Sequence, residues 1–163
     1  MKNALHSLYG EGHADASRVG EGLRNQSIIT PQTVVDGLAL MWPEYPAMDP
    51  CSCPGQLVRA HLYPVDGLAV DWPEKTFCNP PYGTLSKWLE HGGSFSEVIW
   101  LTPVRTHRVW FRRWWHKLDK RLGLNPLTFV GYEQDYPAPL MLGYKGKRID
   151  EFIAAFEHLG SEI

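Results

Sequence analysis

The stretch Lys75-Thr76-Phe77-Cys78-Asn79-Pro80-Pro81-Tyr82-Gly83 restricts the possible folds more than any other part of the chain. Lys75 to Cys78 reads as a strand. The two prolines then remove consecutive backbone donors and fix φ, so the strand cannot continue and the chain must turn. Asn79 therefore falls at a strand's carboxyl end, and Thr84 is expected to cap a helix that begins at Leu85. Ligands of open α/β sheets bind beyond the carboxyl ends of the strands, which makes this turn the expected site.

The four residues Asn79, Pro80, Pro81 and Tyr82 suit the holding of a planar heterocycle with an exocyclic amine. The Asn79 side-chain carbonyl and the Pro80 backbone carbonyl are two acceptors that can face one NH2 group. Bonds to both hydrogens turn the nitrogen lone pair out of conjugation and toward an electrophile. Pro81 keeps the turn rigid, and the face of Tyr82 offers a stacking surface for an extruded base. An aromatic amine is a poor nucleophile, so orientation and a strongly activated partner such as a sulfonium methyl donor must supply the rate. The alternative is an ordinary rigid loop after a strand.

With 163 residues, of which 44% are hydrophobic, the chain has enough apolar material for a core and the length of a single domain. Residues 1 to about 28 are rich in Gly, Ser, Asn and charge, which predicts a mobile arm ahead of a single domain over 29–163. No stretch approaches the roughly 20 apolar residues of a membrane span, and the first residues lack the core of a signal peptide, so a soluble intracellular protein is expected. Three cysteines are too few for a disulfide framework. Cys51, Cys53, His61 and Cys78 match no usual zinc spacing, so no metal is expected and small buried thiols are. A net charge of -2 argues against a protein that coats nucleic acid non-specifically. Arg105, Arg108, Arg112, Arg113 and Lys117 nevertheless concentrate positive charge in one segment.

Along the chain, Thr30-Pro31 marks a helix start with Val34, Val35, Leu38 and Met41 at helical spacing. Ala47 to Cys51 reads as the first strand and its loop. There Asp49 either receives a ligand ammonium or hydroxyl, or caps the turn before Pro50. Asp66-Gly67-Leu68 is a turn whose Asp66 and Leu68 either flank a nucleoside or only form the turn. Val98 to Leu101 has the continuous apolar pattern of a strand buried on both faces. Residues 109–116 form a helix whose Trp and Phe residues span more than one face, with basic residues between them. This suits either a nucleic-acid surface or a core stripe with a solvated back. Leu127–Tyr132 and Pro139–Tyr144 read as an antiparallel edge pair, and Ile149 to Leu159 as a final structural helix stopped by Gly160.

The order Thr30-Pro31, Asp49-Pro50-Cys51, Asp66-Gly67-Leu68 to Asp71-Trp72, Phe77-Cys78-Asn79-Pro80-Pro81-Tyr82-Gly83 and Leu101-Thr102-Pro103-Val104-Arg105-Thr106, followed by a Trp-rich helix, resembles the phage-type DNA N6-adenine methyltransferase (Dam) family. The likeness covers roughly residues 28 to 145, and the Asn-Pro-Pro-Tyr segment is its specific element. It implies a minimal Rossmann-like methyltransferase fold of α/β class, with a mostly parallel central sheet, an antiparallel edge pair and helices on both faces. It implies S-adenosylmethionine as cofactor and methyl transfer to adenine N6 in double-stranded DNA, as in restriction-modification. The catalytic loop is then Asn79, Pro80, Pro81 and Tyr82. The cofactor pocket draws on Thr30, Pro31, Asp49, Pro50, Cys51, Asp66, Leu68 and Asn79. Asp49 to Gly55 stands where that superfamily carries a glycine-rich loop. Other readings of the chain are a DNA-binding module without turnover and a methyltransferase acting on cytosine N4 or a protein amide.

Overall fold

In the computed structural model, which describes residues 28–163, the strand β2 (Val98–Pro103) is buried along its whole length. The apolar side chains Val98, Ile99, Trp100 and Leu101 leave neither face able to meet water, so both must be covered. Beside β2 lies β1 (Thr76–Cys78), parallel to it, with Phe77 opposite Ile99. On the other side runs β4 (Leu140–Lys145), antiparallel, followed by β3 (Lys120–Leu124) and β5 (Gly160–Glu162), in the order β1-β2-β4-β3-β5.

Side chains alternate across this sheet as the pleat requires. Phe77, Ile99, Leu101, Leu122, Leu142 and Tyr144 face a layer made by α1 (Gln32–Met41) and α4 (Ile149–Phe156), with Val34, Leu38, Phe152 and Phe156 in contact. Cys78, Val98, Trp100 and Met141 face the other layer, made by α2 (Leu85–Gly92) and α3 (Val109–Trp115), which contribute Leu85, Trp88, Leu89, Phe111 and Trp114. Gly143, opposite Trp100, leaves the room in which Trp114 crosses β4 and meets Trp100 edge-on at 5.4 Å. A Cβ there would stand 2.8 Å from Leu118 and 3.0 Å from Trp114.

The α/β class and the helices on both faces agree with expectation; other details are corrected. Three of the four strand pairings are antiparallel, so the sheet is not mostly parallel. The first strand shrinks to Met48, bridged in parallel to Thr76 and to Leu62, because Pro46 and Pro50 bracket it and deny it a longer ladder. The partner of β4 is not Leu127–Tyr132, which forms no strand, but Lys120–Leu124. Only Leu122 of that strand is buried, so its polar and glycine neighbours mask the alternation in the sequence. Beyond Gly160 the chain adds β5 against β3. Pro31 is the N-cap of α1 rather than its first residue, and Thr84 makes no side-chain cap for α2; it closes a 3-10 turn over Tyr82–Thr84. The arm read over residues 1 to about 28 lies outside the described residues, apart from Ile28. Among the described residues no helix is long and apolar enough to cross a membrane.

A buried polar knot ties the start of β2 to the α4 layer. Glu97 Oε1 accepts from Tyr144 Oη at 3.1 Å and from Arg148 Nε and Nη2 at 3.0 and 2.8 Å. Burial pushes the Tyr144 hydroxyl up to about 12. Replacing Glu97 strands a guanidinium and a phenol that this oxygen satisfies. Glu97→Ala should therefore lower the unfolding free energy by roughly 2–3 kcal/mol, and Tyr144→Phe by about 1 kcal/mol. The double variant should lose less than the sum. Urea titration decides, and a Glu97→Ala loss below about 0.5 kcal/mol would show the knot to be dispensable.

Candidate active site

Met48, β1 and β2 run parallel, so their carboxyl ends open on one edge of the sheet, and each end is followed by a segment singled out in the sequence: Asp49, Asn79 and Arg105. The half-buried Asn79 donates from Nδ2 to the Ile28 carbonyl at 3.0 Å and to Thr30 Oγ1 at 3.2 Å. A carbonyl can only accept, so these partners fix which end of the amide is nitrogen. Oδ1 is thereby turned the other way, and among the described residues it has no hydrogen-bond partner. Thr30, just ahead of α1, is 5% exposed and thus a firm support. Pro31 accepts the Val34 and Val35 N–H groups and anchors the helix behind it.

The Asp49 carboxylate is 5% exposed and accepts the Cys51 N–H at 3.1 Å. Desolvation pushes it up to about 7, against the lowering effect of that bond, and among the described residues no cation pairs with it. Cys51 Sγ lies 3.2 Å from Cys78 Sγ, next to Asn79, and burial pushes both thiols up. Gly67 is pressed on this turn: a Cβ there would stand 2.2 Å from the Pro50 carbonyl oxygen. Trp72 Nε1 donates to the Gly67 carbonyl at 2.7 Å. The 49–51 and 66–68 turns are thus stacked, and the half-buried Leu68 joins the core beneath them. Asp66 is exposed and takes the plainer of its two readings, accepting the Leu68 N–H at 2.9 Å.

One sequence expectation fails at this site. Tyr82 does not offer an open face; its ring is 6% exposed and meets Phe129 and Tyr136 edge-on at 6.5 and 5.6 Å. The 3-10 turn that follows Pro81 rolls the ring inward, onto the 127–136 segment that replaces the expected strand. Among the described residues its buried hydroxyl has no hydrogen-bond partner, and desolvation holds it well above the ordinary phenol range.

Beyond Tyr82 the loop opens on a basic groove. Arg105, Arg108, Trp110 and Ser86 line, with Tyr82, a cavity of about 240 Å³. Ser86 and Trp110 also line the next one, of about 200 Å³, with Glu90, Arg113 and Lys117. Arg112 lines neither; its Nη1 donates to the Thr106 carbonyl at 2.8 Å. Arg105 and Arg108 thus line one cavity and Arg113 and Lys117 the other, while Arg112 braces the 105–108 turn. Sequence reasoning missed Ile28, whose contribution is a backbone carbonyl, and Gly67, whose role is the space it leaves. The turn signal at Asp66-Gly67 was the sole hint.

No family model, curated protein or solved structure matches the chain.

A carboxyl group whose folded-state value, about 7, lies above its ordinary 3.8 binds more protons in the folded than in the unfolded chain between those limits. Stability is therefore lost as pH rises through that window, by at most a few kcal/mol at about 1.4 kcal/mol per pH unit. Asp49→Asn, which keeps an acceptor for Cys51, should match wild type in melting temperature at pH 4 and exceed it at pH 8. An offset of the same size at both pH values would show that Asp49 ionisation is not responsible.

Proposed function

We propose that this chain transfers a methyl group from S-adenosylmethionine to the N6 amine of an adenine flipped out of double-stranded DNA, on a minimal Rossmann-like methyltransferase fold. The observation that carries the reading is the Asn79 amide, held by Ile28 and Thr30 so that Oδ1 points away from them at the carboxyl end of β1. An acceptor fixed in this way suits an incoming NH2 group, because no reorganisation is needed when the amine arrives.

The residues at the strand ends fit the cofactor in charge. A desolvated carboxylate with no cation beside it among the described residues, Asp49, favours a ligand that brings an ammonium or hydroxyl donor. Thr30, Pro31, Pro50, Cys51, Asp66 and Leu68 surround that end of the sheet and would hold the rest. When bound, S-adenosylmethionine supplies an electrophilic sulfonium methyl.

The chain's own groups do the orienting. Asn79 Oδ1 accepts one amine hydrogen and the Pro80 carbonyl the other, which withdraws the lone pair from the ring and makes it available for attack. The nitrogen becomes strongly acidic as its new bond forms, so its proton passes to water and no strong base is needed. Pro81 and the inward Tyr82 ring keep the loop rigid against Phe129 and Tyr136. Arg105, Arg108, Arg113 and Lys117 supply phosphate contacts beside the loop.

A second reading, a DNA-binding module without turnover, is favoured by one observation: the Tyr82 face that would stack the base is covered. Titration with S-adenosylmethionine separates the two, since the module would show no saturable binding. Digestion of a methylated product to nucleosides separates adenine N6 from cytosine N4, and transfer to protein instead of DNA would point to an amide acceptor.

Labelled S-adenosylmethionine with adenine-containing DNA tests the main reading. Wild type should transfer label, and Asn79→Ala should be slower by about 100-fold or more, the usual loss of a fixed transition-state partner. Thr30→Val, which removes one of two supports for the amide, should be slower by roughly three- to tenfold. Undiminished transfer by Asn79→Ala would remove the mechanism.

A further inference from the structure

The groove beside the catalytic loop has a construction that the transfer chemistry does not use. Trp110, Arg113, Trp114 and Lys117 lie at helical spacing, and all four line one wall of it. Trp114 continues into the core, whereas Trp110 stays half-buried and forms part of both cavities. Arg105 and Arg108 stand on one side of Trp110, and Arg113 and Lys117 on the other. Among the described residues, Glu90 is the only carboxylate lining either cavity. Gly83, Leu85 and Ser86 also line the first cavity.

An indole between two pairs of cations matches a ligand that alternates anionic groups with flat rings. An acidic peptide has the charge but no rings, and a free nucleotide needs one cavity rather than two divided by an aromatic wall. Both cavities, at about 240 and 200 Å³, fall below the roughly 300 Å³ floor of small-molecule sites, so their sequence reads as a track. A paired duplex offers no base face to an indole; an unpaired strand does.

We infer that the α2–α3 groove seats unpaired single-stranded DNA immediately beside the target nucleotide, Trp110 stacking on a neighbouring base while Arg105, Arg108, Arg113 and Lys117 hold the phosphates on either side. This deepens the proposed function and rests on it only for the identity of the target. The chain then favours DNA that is already open, and local unpairing next to the methylated position is part of substrate recognition.

Fluorescence anisotropy on the full chain tests this, with a labelled adenine-containing DNA of roughly 12 nucleotides, single-stranded or annealed to its complement. Trp110→Ala should weaken single-strand binding about tenfold and duplex binding by less than about twofold. Trp110→Phe, which keeps a ring, should stay within about threefold of wild type and also shows that the wall folds without the indole. Arg113→Ala should flatten the salt dependence on single strands by roughly 0.7 in slope, the share of a single phosphate. Single-strand affinity within about twofold of wild type in Trp110→Ala, or equal losses on single strand and duplex, overturns the inference. Methyl transfer by wild type alongside such a result removes the groove and leaves the activity. Binding through Trp110 without any transfer removes the activity and leaves the groove.

Discussion

Burial of both faces of β2 is the constraint on which the rest of the molecule depends. Val98, Ile99, Trp100 and Leu101 have no exposed surface, so each face must be roofed by an apolar helical layer. At about 1.5–3 kcal/mol for each large side chain removed from water, these contacts outweigh any local preference of the connecting loops. Polar residues are thereby driven to the strand ends. Because Met48, β1 and β2 are parallel, Asp49, Asn79 and Arg105 all emerge on the same edge.

At that edge polar groups are held where water would not keep them. Asn79 commits its amide nitrogen to Ile28 and Thr30, which leaves Oδ1 without a partner among the described residues. Asp49 is desolvated and, among the described residues, has no cation beside it, a local loss of stability. The adjacent turns leave little slack: Gly67 has no room for a side chain, and Trp72 clamps its carbonyl. The two cavities that share Trp110 are the opposite case, lined by the cations Arg105, Arg108, Arg113 and Lys117.

Several features were legible because one residue type leaves one choice. The prolines at 80 and 81 stop β1 whatever surrounds them, and the continuous apolar run of β2 allows only a strand buried on both faces. The helices α1, α2 and α4 declared themselves through apolar spacing. The strand β3 did not, because a single buried side chain, Leu122, carries its packing, while Lys120 pairs with Glu162 and Arg121 lies over the Trp115 ring. The Leu127–Tyr132 segment has the composition of a strand, yet Leu127 and Phe129 are buried as a coil against the core. Composition reports burial there, not backbone shape.

By itself the sequence determined the α/β class, the place where β1 must end, and the residues at that end, since prolines, apolar runs and helical spacing act through local sterics and the need to leave water. Tertiary structure decided the direction of the strands, the inward turn of Tyr82, the bracing of the 105–108 turn by Arg112 and the tether from Ile28 and Thr30 to Asn79. Each of these is a contact between residues that are not neighbours in the chain or a choice between two faces of one element. Local propensity is indifferent to such choices, and only the packing of the whole resolves them.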